Sequence, residues 1–278
     1  MKNLILQANH LAVHTVDTIA ALSEADRIEP ITQTAVRLIN IVETEALIRC
    51  CQAEKIDYAI VPASLSLSDY GLLACDMDST LITVECIDEM ADIYGEKDQV
   101  AVITEAAMMG EMDFAESLRK RVALLAGLTE DALWTVYEKR LSYNPGAQTL
   151  IDTVKQAGLK TLLVSGGFSF FTQRVINALG MDAETSNELE IIDGKLTGRI
   201  LGDIIDAKGK ANALIRLRDQ MGLHAEQTIA IGDGANDLLM LKAAGLSIAY
   251  HAKPKVASGA RYAINQVGLD GVLALFAS

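Results

Sequence analysis

Two aspartates one residue apart, Asp76 and Asp78, close the apolar run that begins GLLACDMDST, and Ser79 and Thr80 follow at once. Side chains two positions apart in a strand point the same way, so the two carboxylates share a side unless the chain turns first; Asp78 is expected in the loop beyond the strand. Carboxylates this close repel one another unless something positive lies against them. Such a pair can divide phosphoryl chemistry, one as nucleophile and one as proton donor and acceptor. A divalent cation would neutralise the charge, and hard Mg²⁺, which keeps several waters, needs only one or two carboxylates. GDGAND offers Asp233 as a second ligand and Asp237 as a ligand or as the support of a bound water. Thr80 and Ser165 add hydroxyl donors, and glycine-flanked turns expose backbone N–H groups to phosphate oxygens. Singly, a DxD is a solvated strand end, SGG a turn and DG a hairpin signal. Their order, each after an apolar run, is what joins them.

The elements that must position these groups are legible from residue 71 onward. GLLACD, KTLLVSGG, QTIAIGDGAND and LSIAYHA read as strands, and helical patterns such as FFTQRVINALG and DLLMLKAAG follow them. Strands alternating with helices predict an α/β fold with a doubly wound parallel sheet, whose ligand lies at the carboxyl ends of the strands. All three polar clusters fall at such ends. Residues 86–143 are too long for one crossover and predict an inserted helical cap, ended by Asn144-Pro145-Gly146 and placed over the site as a lid. ELEIIDGKLTGRI predicts a β-hairpin turning at Asp193-Gly194. Residues 1–70 predict a small N-terminal α/β accessory domain: NLILQA and YAIV as strands, VDTIAALSEA and EALIRCCQAEKI as helices, and PASLSLSDYG as the linker to a core over 71–278. This first part holds no chemical motif. A regulatory role for it rests on position alone.

Composition narrows the function classes. Half of the 278 residues are hydrophobic, and 24 Lys and Arg against 37 Asp and Glu leave a net charge of −13. This is a globular chain with material for a sizeable core, and without a basic stripe it is a poor partner for nucleic acid. No apolar stretch is long enough to span a bilayer, and Gln7, Asn9 and His10 interrupt any signal-peptide core at the start, so a cytoplasmic location is expected. Four cysteines without a CxxC and four scattered histidines predict neither a disulfide framework nor a zinc site. An acidic chain that handles an anionic substrate needs local positive charge: a bound cation and a few placed Lys or Arg.

DMDSTLITVECIDEMA, EAAMMGEMDFAESLRKRVALLAGL, SGGFSFFTQRV, DGKLTG and AIGDGANDLLMLKAAG together resemble the haloacid-dehalogenase-type phosphatases, most closely those that release phosphate from phosphorylated serine. The resemblance runs from residue 71 to the C-terminus. It implies the HAD-like Rossmannoid core of that superfamily and Mg²⁺-dependent hydrolysis of O-phospho-L-serine to serine and phosphate, the last step of serine biosynthesis. It also implies the roles of single residues. Asp76 is the nucleophile that forms an aspartyl-phosphate, and Asp78 is the proton donor and acceptor. Asp76, Asp233 and the main-chain carbonyl of Asp78 hold Mg²⁺, with Asp237 behind them. Ser165, Gly166 and a lysine bind the phosphoryl oxygens; Lys210 keeps the family's spacing better than Lys208. Asn236 contacts phosphate or substrate.

Substrate choice is expected to rest on the cap. Glu85 suits an ammonium group, although an acid at a helix N-terminus is favourable without any ligand. In FAESLRKRVALL, at ~100° per residue, Arg121 falls on the stripe of Phe114, Leu118, Val122 and Leu125, while Arg119 and Lys120 point elsewhere. A cation on an apolar face needs a partner: an internal carboxylate such as Glu85, or the carboxylate of a substrate. Beside the resemblance, Glu85 and Arg121 read as clamps for the two ends of an amino-acid zwitterion, with Met108 and Phe114 closing over it. Two other readings keep part of this. One is a phosphatase of another small metabolite, or a phosphotransferase that passes the phosphoryl group to a different hydroxyl. The other is a phosphometabolite-binding sensor, which has no need for Asp78. The expected partner is the small-molecule substrate O-phosphoserine, with no nucleic acid and no membrane; a homodimer is left open.

Overall fold

The computed structural model describes residues 1–109 and 111–276, with all of their side chains except that of Met108. The chain opens with β1 (Lys2–Gln7), α1 (Val13–Leu22), β2 (Arg27–Pro30), β3 (Ala35–Ile39), α2 (Glu45–Ala53) and β4 (Asp57–Pro62). The four strands form an antiparallel sheet in the order β2-β3-β1-β4. β1 is its core: Leu4, Ile5 and Leu6 are fully buried, and removing each such side chain from water is worth roughly 2–3 kcal/mol. β2 and β3 were not foreseen. RIEP carries no apolar alternation and lies at the sheet edge, where Pro30 needs no ladder partner, so its strand character comes from pairing with β3.

The second sheet has seven strands in the order β11-β10-β9-β5-β6-β7-β8. In chain order these are β5 (Leu72–Cys75), β6 (Lys160–Phe168), β7 (Ala183–Ile192), β8 (Lys195–Leu201), β9 (Thr228–Gly232), β10 (Leu246–Tyr250) and β11 (Tyr262–Ile264). All neighbours are parallel except β7 and β8, which form the expected hairpin. Asp193 (φ 51°) and Gly194 (φ 72°) both take positive φ at its tip, as a type I′ turn requires. β7 is longer than the hairpin pattern suggests: its first half, from Ala183, pairs with β6 and belongs to the main sheet.

β5 is the central strand, and all four of its residues are buried. Its side chains alternate between two cores. Leu73 and Cys75 join one core, and Leu72 and Ala74 join the other, which is why an unbroken apolar run reads as a strand covered on both faces. α7 (Ala147–Gln156) and α8 (Ser169–Leu179) supply Leu150, Ile151, Phe171 and Val175 to the first core. α9 (Ala207–Gln220) and α10 (Leu238–Ala243) supply Ala213, Leu214, Met240 and Leu241 to the second. The short α11 (Pro254–Ala257) lies between β10 and the edge strand β11 in the chain.

Between β5 and α7 the chain builds α3 (Cys86–Tyr94), α4 (Lys97–Met108), α5 (Phe114–Leu124) and α6 (Glu130–Lys139). This helical insertion leaves and rejoins the sheet through two adjacent segments, with Ile82 bridged to Tyr143 and the Thr83 N–H donating to Ser142 O at 2.9 Å. Asn144 Nδ2 ties the same hinge by donating to Thr80 O (2.8 Å) and Ile82 O (3.2 Å). The N-terminal sheet is wired to the end of the chain. The buried Asp57 carboxylate accepts the N–H groups of Asn265 (2.7 Å) and Gln266 (2.6 Å), and Arg37 donates to the carbonyls of Ala274 and Phe276. No helix among the described residues is long and apolar enough to cross a membrane.

Candidate active site

The strand order reverses direction around β5, so the carboxyl ends of β5, β6 and β9 open onto one crevice, where such sheets bind ligands. Asp76 follows β5 and extends its ladder, with its N–H donating to Ile231 O at 3.0 Å. Residues 77–81 then form a wide irregular turn in which Asp78 is extended (φ −62°, ψ 134°) and Ser79 is left-handed (φ 57°). The turn separates the two carboxylates. A non-glycine residue with positive φ is strained, and Ser79 is held there by donating to Glu85 Oε1 at 2.7 Å.

Asp76 lies at the bottom of the crevice. Its Oδ1 accepts the Met77 N–H and meets Lys210 Nζ, each at 2.7 Å. Lys210 is 1% exposed and also reaches Asp237 Oδ1 at 2.7 Å. Burial alone would discharge this lysine, but Asp237 and Asp76 outweigh it and hold its pKa above the ordinary value. Asp76 is raised well above the carboxylate range, by burial and then by Asp237, with Lys210 opposing. Lys208 is exposed.

Carboxylate oxygens of Asp76, Asp233 and Asp237 lie within 4.8 Å of one another. Asp233 follows β9, accepts Thr80 Oγ1 at 2.9 Å, and is pushed up to about 6 by burial and the Asp237 charge. Asp237 is fully buried, and its second oxygen accepts the Gly234 N–H at 2.9 Å. The Asp237 charge raises both Asp76 and Asp233; a cation relieves such crowding, and a set of oxygens without thiolate or imidazole fits a hard divalent ion. Asp237 thus stands within the oxygen cluster itself, whereas the Asp78 side chain is engaged elsewhere.

Asp78 Oδ1 accepts the Cys86 N–H at 2.9 Å, and Oδ2 accepts Ser165 Oγ at 3.2 Å. Burial raises its pKa, and the hydrogen bonds from Cys86 and Ser165 work against that rise. Cys86 is the first residue of α3, so the helical insertion itself grips this carboxylate. Ser165, Gly166 and Gly167 are not a simple turn into a helix. They belong to β6, where its register against β7 shifts between Val164 and Phe168, and such an irregularity re-aims side chains. A Cβ on Gly167 would come within 2.8 Å of Asp78 Oδ2, and one on Gly166 within 2.9 Å of the Phe114 ring. The absence of side chains here lets strand, acid and insertion meet.

The crevice holds a cavity of ≈ 200 Å³, lined by Asp76, Asp78, Glu85, Phe114, Leu118, Arg121, Gly166, Gly167, Lys210, Asp233 and Asn236 among others. Of the residues expected at the site, Ser165 and Asp237 do not line it but touch lining residues through the bonds above, and Thr80 lies beneath it. Arg121 is half-buried, and its Nε has no hydrogen-bond partner among the described residues. Burial lowers its pKa, while Asp88, Glu85 and Asp78 act on it only through their fields. Enclosure by the cleft walls, and then the Asp78 charge, push Glu85 up to about 7, although its side chain keeps a face to solvent. Met108 lies outside the described side chains.

Two further features depart from the sequence reading. Thr80 is spent on Asp233 rather than turned to a ligand, because it is fully buried beneath the turn. Asn187 was missed. It is 1% exposed, donates to Gly166 O (2.8 Å) and accepts the Ile205 N–H (2.8 Å), which fixes the Gly166 peptide. A lone polar residue in ETSNELE carries no signal for that contact, which joins β6, β7 and the loop before α9.

Comparison with known proteins gives the family. A family model described as haloacid dehalogenase-like hydrolase matches residues 73–242, and one described as a domain of unknown function matches 4–47. The phosphoserine phosphatase of Polaromonas sp. is 54% identical over 221 residues, which is 78% of this chain and 94% of that protein. The chain belongs to the phosphoserine phosphatase family of haloacid dehalogenase-like hydrolases. A probable phosphoserine phosphatase from Vibrio cholerae, in unliganded form, shares the fold at a TM-score of 0.86 and 37% identity, covering 98% of this chain and 85% of that one. A phospho-aspartyl intermediate analogue of a phosphoserine phosphatase gives 0.70 at 38% identity, covering 75% of this chain and 99% of the other.

Proposed function

We propose that this member of the family hydrolyses O-phospho-L-serine through an aspartyl-phosphate on Asp76, with Mg²⁺ held by Asp76, Asp233 and the carbonyl of Asp78 and steadied by Asp237. The observation that carries the reading is one cavity that joins Asp76, in its Lys210–Asp237–Asp233 setting, to an Arg121 whose Nε has no partner among the described residues. When bound, the cation neutralises charge that builds on the phosphoryl oxygens. Lys210, Ser165, Asn236 and the Gly166 N–H take up the rest of that charge. Asp76 forms the new bond to phosphorus as the bond to the serine oxygen breaks. Asp78, which burial biases toward its protonated form, gives its proton to the departing oxygen. It then removes a proton from water, the water oxygen attacks phosphorus, and the Asp76–phosphorus bond breaks to release phosphate.

In the same reading, Arg121 pairs with the substrate carboxylate and Glu85 with its ammonium group, while Phe114 covers them. Residues 86–143 act as the cap, and residues 1–70, with a sheet of their own, as an accessory unit. Phosphate release from a panel of phosphorylated metabolites, with Mg²⁺ and with EDTA, tests the proposal. A strong, Mg²⁺-dependent preference for phosphoserine is expected, together with loss of turnover in Asp76→Asn. Substantial activity in that variant refutes the aspartyl-phosphate route, and equal activity on all substrates refutes the Arg121 and Glu85 assignments.

A further inference from the structure

DGKLTG has no part in the chemistry above, yet its strand is pressed against the helix that carries Arg121. β8 and the segment that ends α5 are joined by backbone hydrogen bonds. The Gly127 N–H donates to Leu196 O (2.8 Å), the Leu196 N–H to Leu128 O (2.9 Å), and the Glu130 N–H to Gly194 O (2.9 Å). Thr129 and Lys195 form an isolated bridge at the same seam. The hairpin therefore fastens the insertion at a place separate from the Asn144 hinge.

Gly198 shows how close the second fastening is. Its φ is +84°, and a Cβ there would stand 3.0 Å from Ala126 Cβ, 3.2 Å from Ala123 Cα and 3.3 Å from Ala123 O. Two of these atoms are backbone and cannot swing aside. Ala123 lies two residues beyond Arg121, about 200° round the helix, so the hairpin bears on the back of α5 while Arg121 faces the cleft. Glu190 stiffens the strap by accepting Thr197 Oγ1 at 2.6 Å and Arg199 Nε at 2.7 Å.

We propose that the β7–β8 hairpin is a strap that sets the position of Arg121, and that Gly198 is a positioning residue for recognition of a carboxylate-bearing phosphomonoester. The inference rests on the Arg121 reading given above. Any side chain at 198 pushes α5 toward the cleft by a few tenths of an ångström and misaligns the guanidinium, while Asp76, Asp78 and Lys210 stay on the sheet.

The test compares O-phosphoserine with O-phosphoethanolamine, which lacks the carboxylate. Gly198→Ala is expected to raise KM for phosphoserine by about tenfold, since small misplacements near a reacting pair are costly, and to leave kcat/KM for phosphoethanolamine within about twofold. Gly202→Ala is the control: it has the same backbone strain (φ +71°) but nothing within 4 Å of the new Cβ, and its selectivity should match the parent. Equal losses on both substrates in Gly198→Ala, or the same selectivity in both variants, overturns the strap. If Gly198→Ala does not fold, amide exchange of the unmodified chain decides. Protection of the Gly127 and Leu196 N–H groups comparable to the main sheet supports the strap, and exchange at the rate of an exposed loop overturns it. Arg121→Ala separates the two levels. If it leaves the preference for phosphoserine intact, the Arg121 reading fails and the strap's role with it; if it abolishes the preference while Gly198→Ala is silent, only the strap fails.

Discussion

Replacing Lys210 with methionine tests the electrostatic reading of the site most directly. The substitution keeps most of the volume and removes an ammonium that is 1% exposed and sits 2.7 Å from carboxylate oxygens of both Asp76 and Asp237. The two acids are then left against each other and against Asp233. Removing one partner of a buried ion pair costs roughly 3–5 kcal/mol, and two partners are stranded here, so a loss of about 4 kcal/mol is expected in EDTA at pH 8. The stranded Asp76 softens this by binding a proton. Its folded pKa, already raised with Lys210 opposing, then lies further above the unfolded value near 3.9, so the folded variant is favoured at low pH and destabilised as pH rises through that value. The deficit should therefore shrink on acidification. Urea titrations of parent and variant at pH 5 and pH 8 measure it. Lys208→Met, at an exposed position, should change stability by no more than about 0.5 kcal/mol. A Lys210→Met loss below about 1 kcal/mol at pH 8, or a deficit that grows toward low pH, refutes the reasoning.

Three further outcomes are expected. Glu85, raised to about 7, is charged and able to hold an ammonium only above that pH. KM for phosphoserine should therefore climb toward about tenfold per pH unit below it, and Glu85→Gln should flatten the profile. A KM that is flat from pH 8 to 5.5 in the parent removes the ammonium role. In Arg174→Ala, the guanidinium that lies 4.1 Å over the Trp134 ring and 3.6 Å over Phe170 is lost. This contact joins α6 to α8, so about 1–2 kcal/mol of stability should go with it, and emission from Trp134, the one tryptophan, should shift; unchanged emission counts against the contact. Asn144→Ala leaves the Thr80 and Ile82 carbonyls without their donor and should cost about 1–2 kcal/mol; a calorimetric midpoint equal to the parent's would show that the hinge does not depend on it.

What the sequence determined by itself was local. β5, β6, β9 and β10 were legible because each is a short apolar run ended by polar or glycine residues, and Asp76, Ser165 and Asp233 were legible because each stands at such an end. The preference for Lys210 over Lys208 came from the family resemblance and not from a local pattern; the folded chain supplies the physical reason. Lys210 shares a helical stripe with Ala213 and Leu214, which face the core, while Lys208 lies about 200° away and faces solvent. What only the tertiary structure decided was which of these polar groups meet. Thr80 turned to Asp233, Asp237 joined the oxygen cluster, the Asp78 carboxylate was gripped by the first amide of α3, and Asn187 reached across to Gly166. The strand β2 and the first half of β7 exist because a neighbour offers a ladder, and their own pattern does not call for them. The physical reason is range. Burial periodicity and turn chemistry act over a few residues, whereas Thr80 with Asp233 and Asn187 with Gly166 link positions 153 and 21 residues apart, and even the nearer pairing of Asp78 with Cys86 is set by how the helical insertion packs on the sheet.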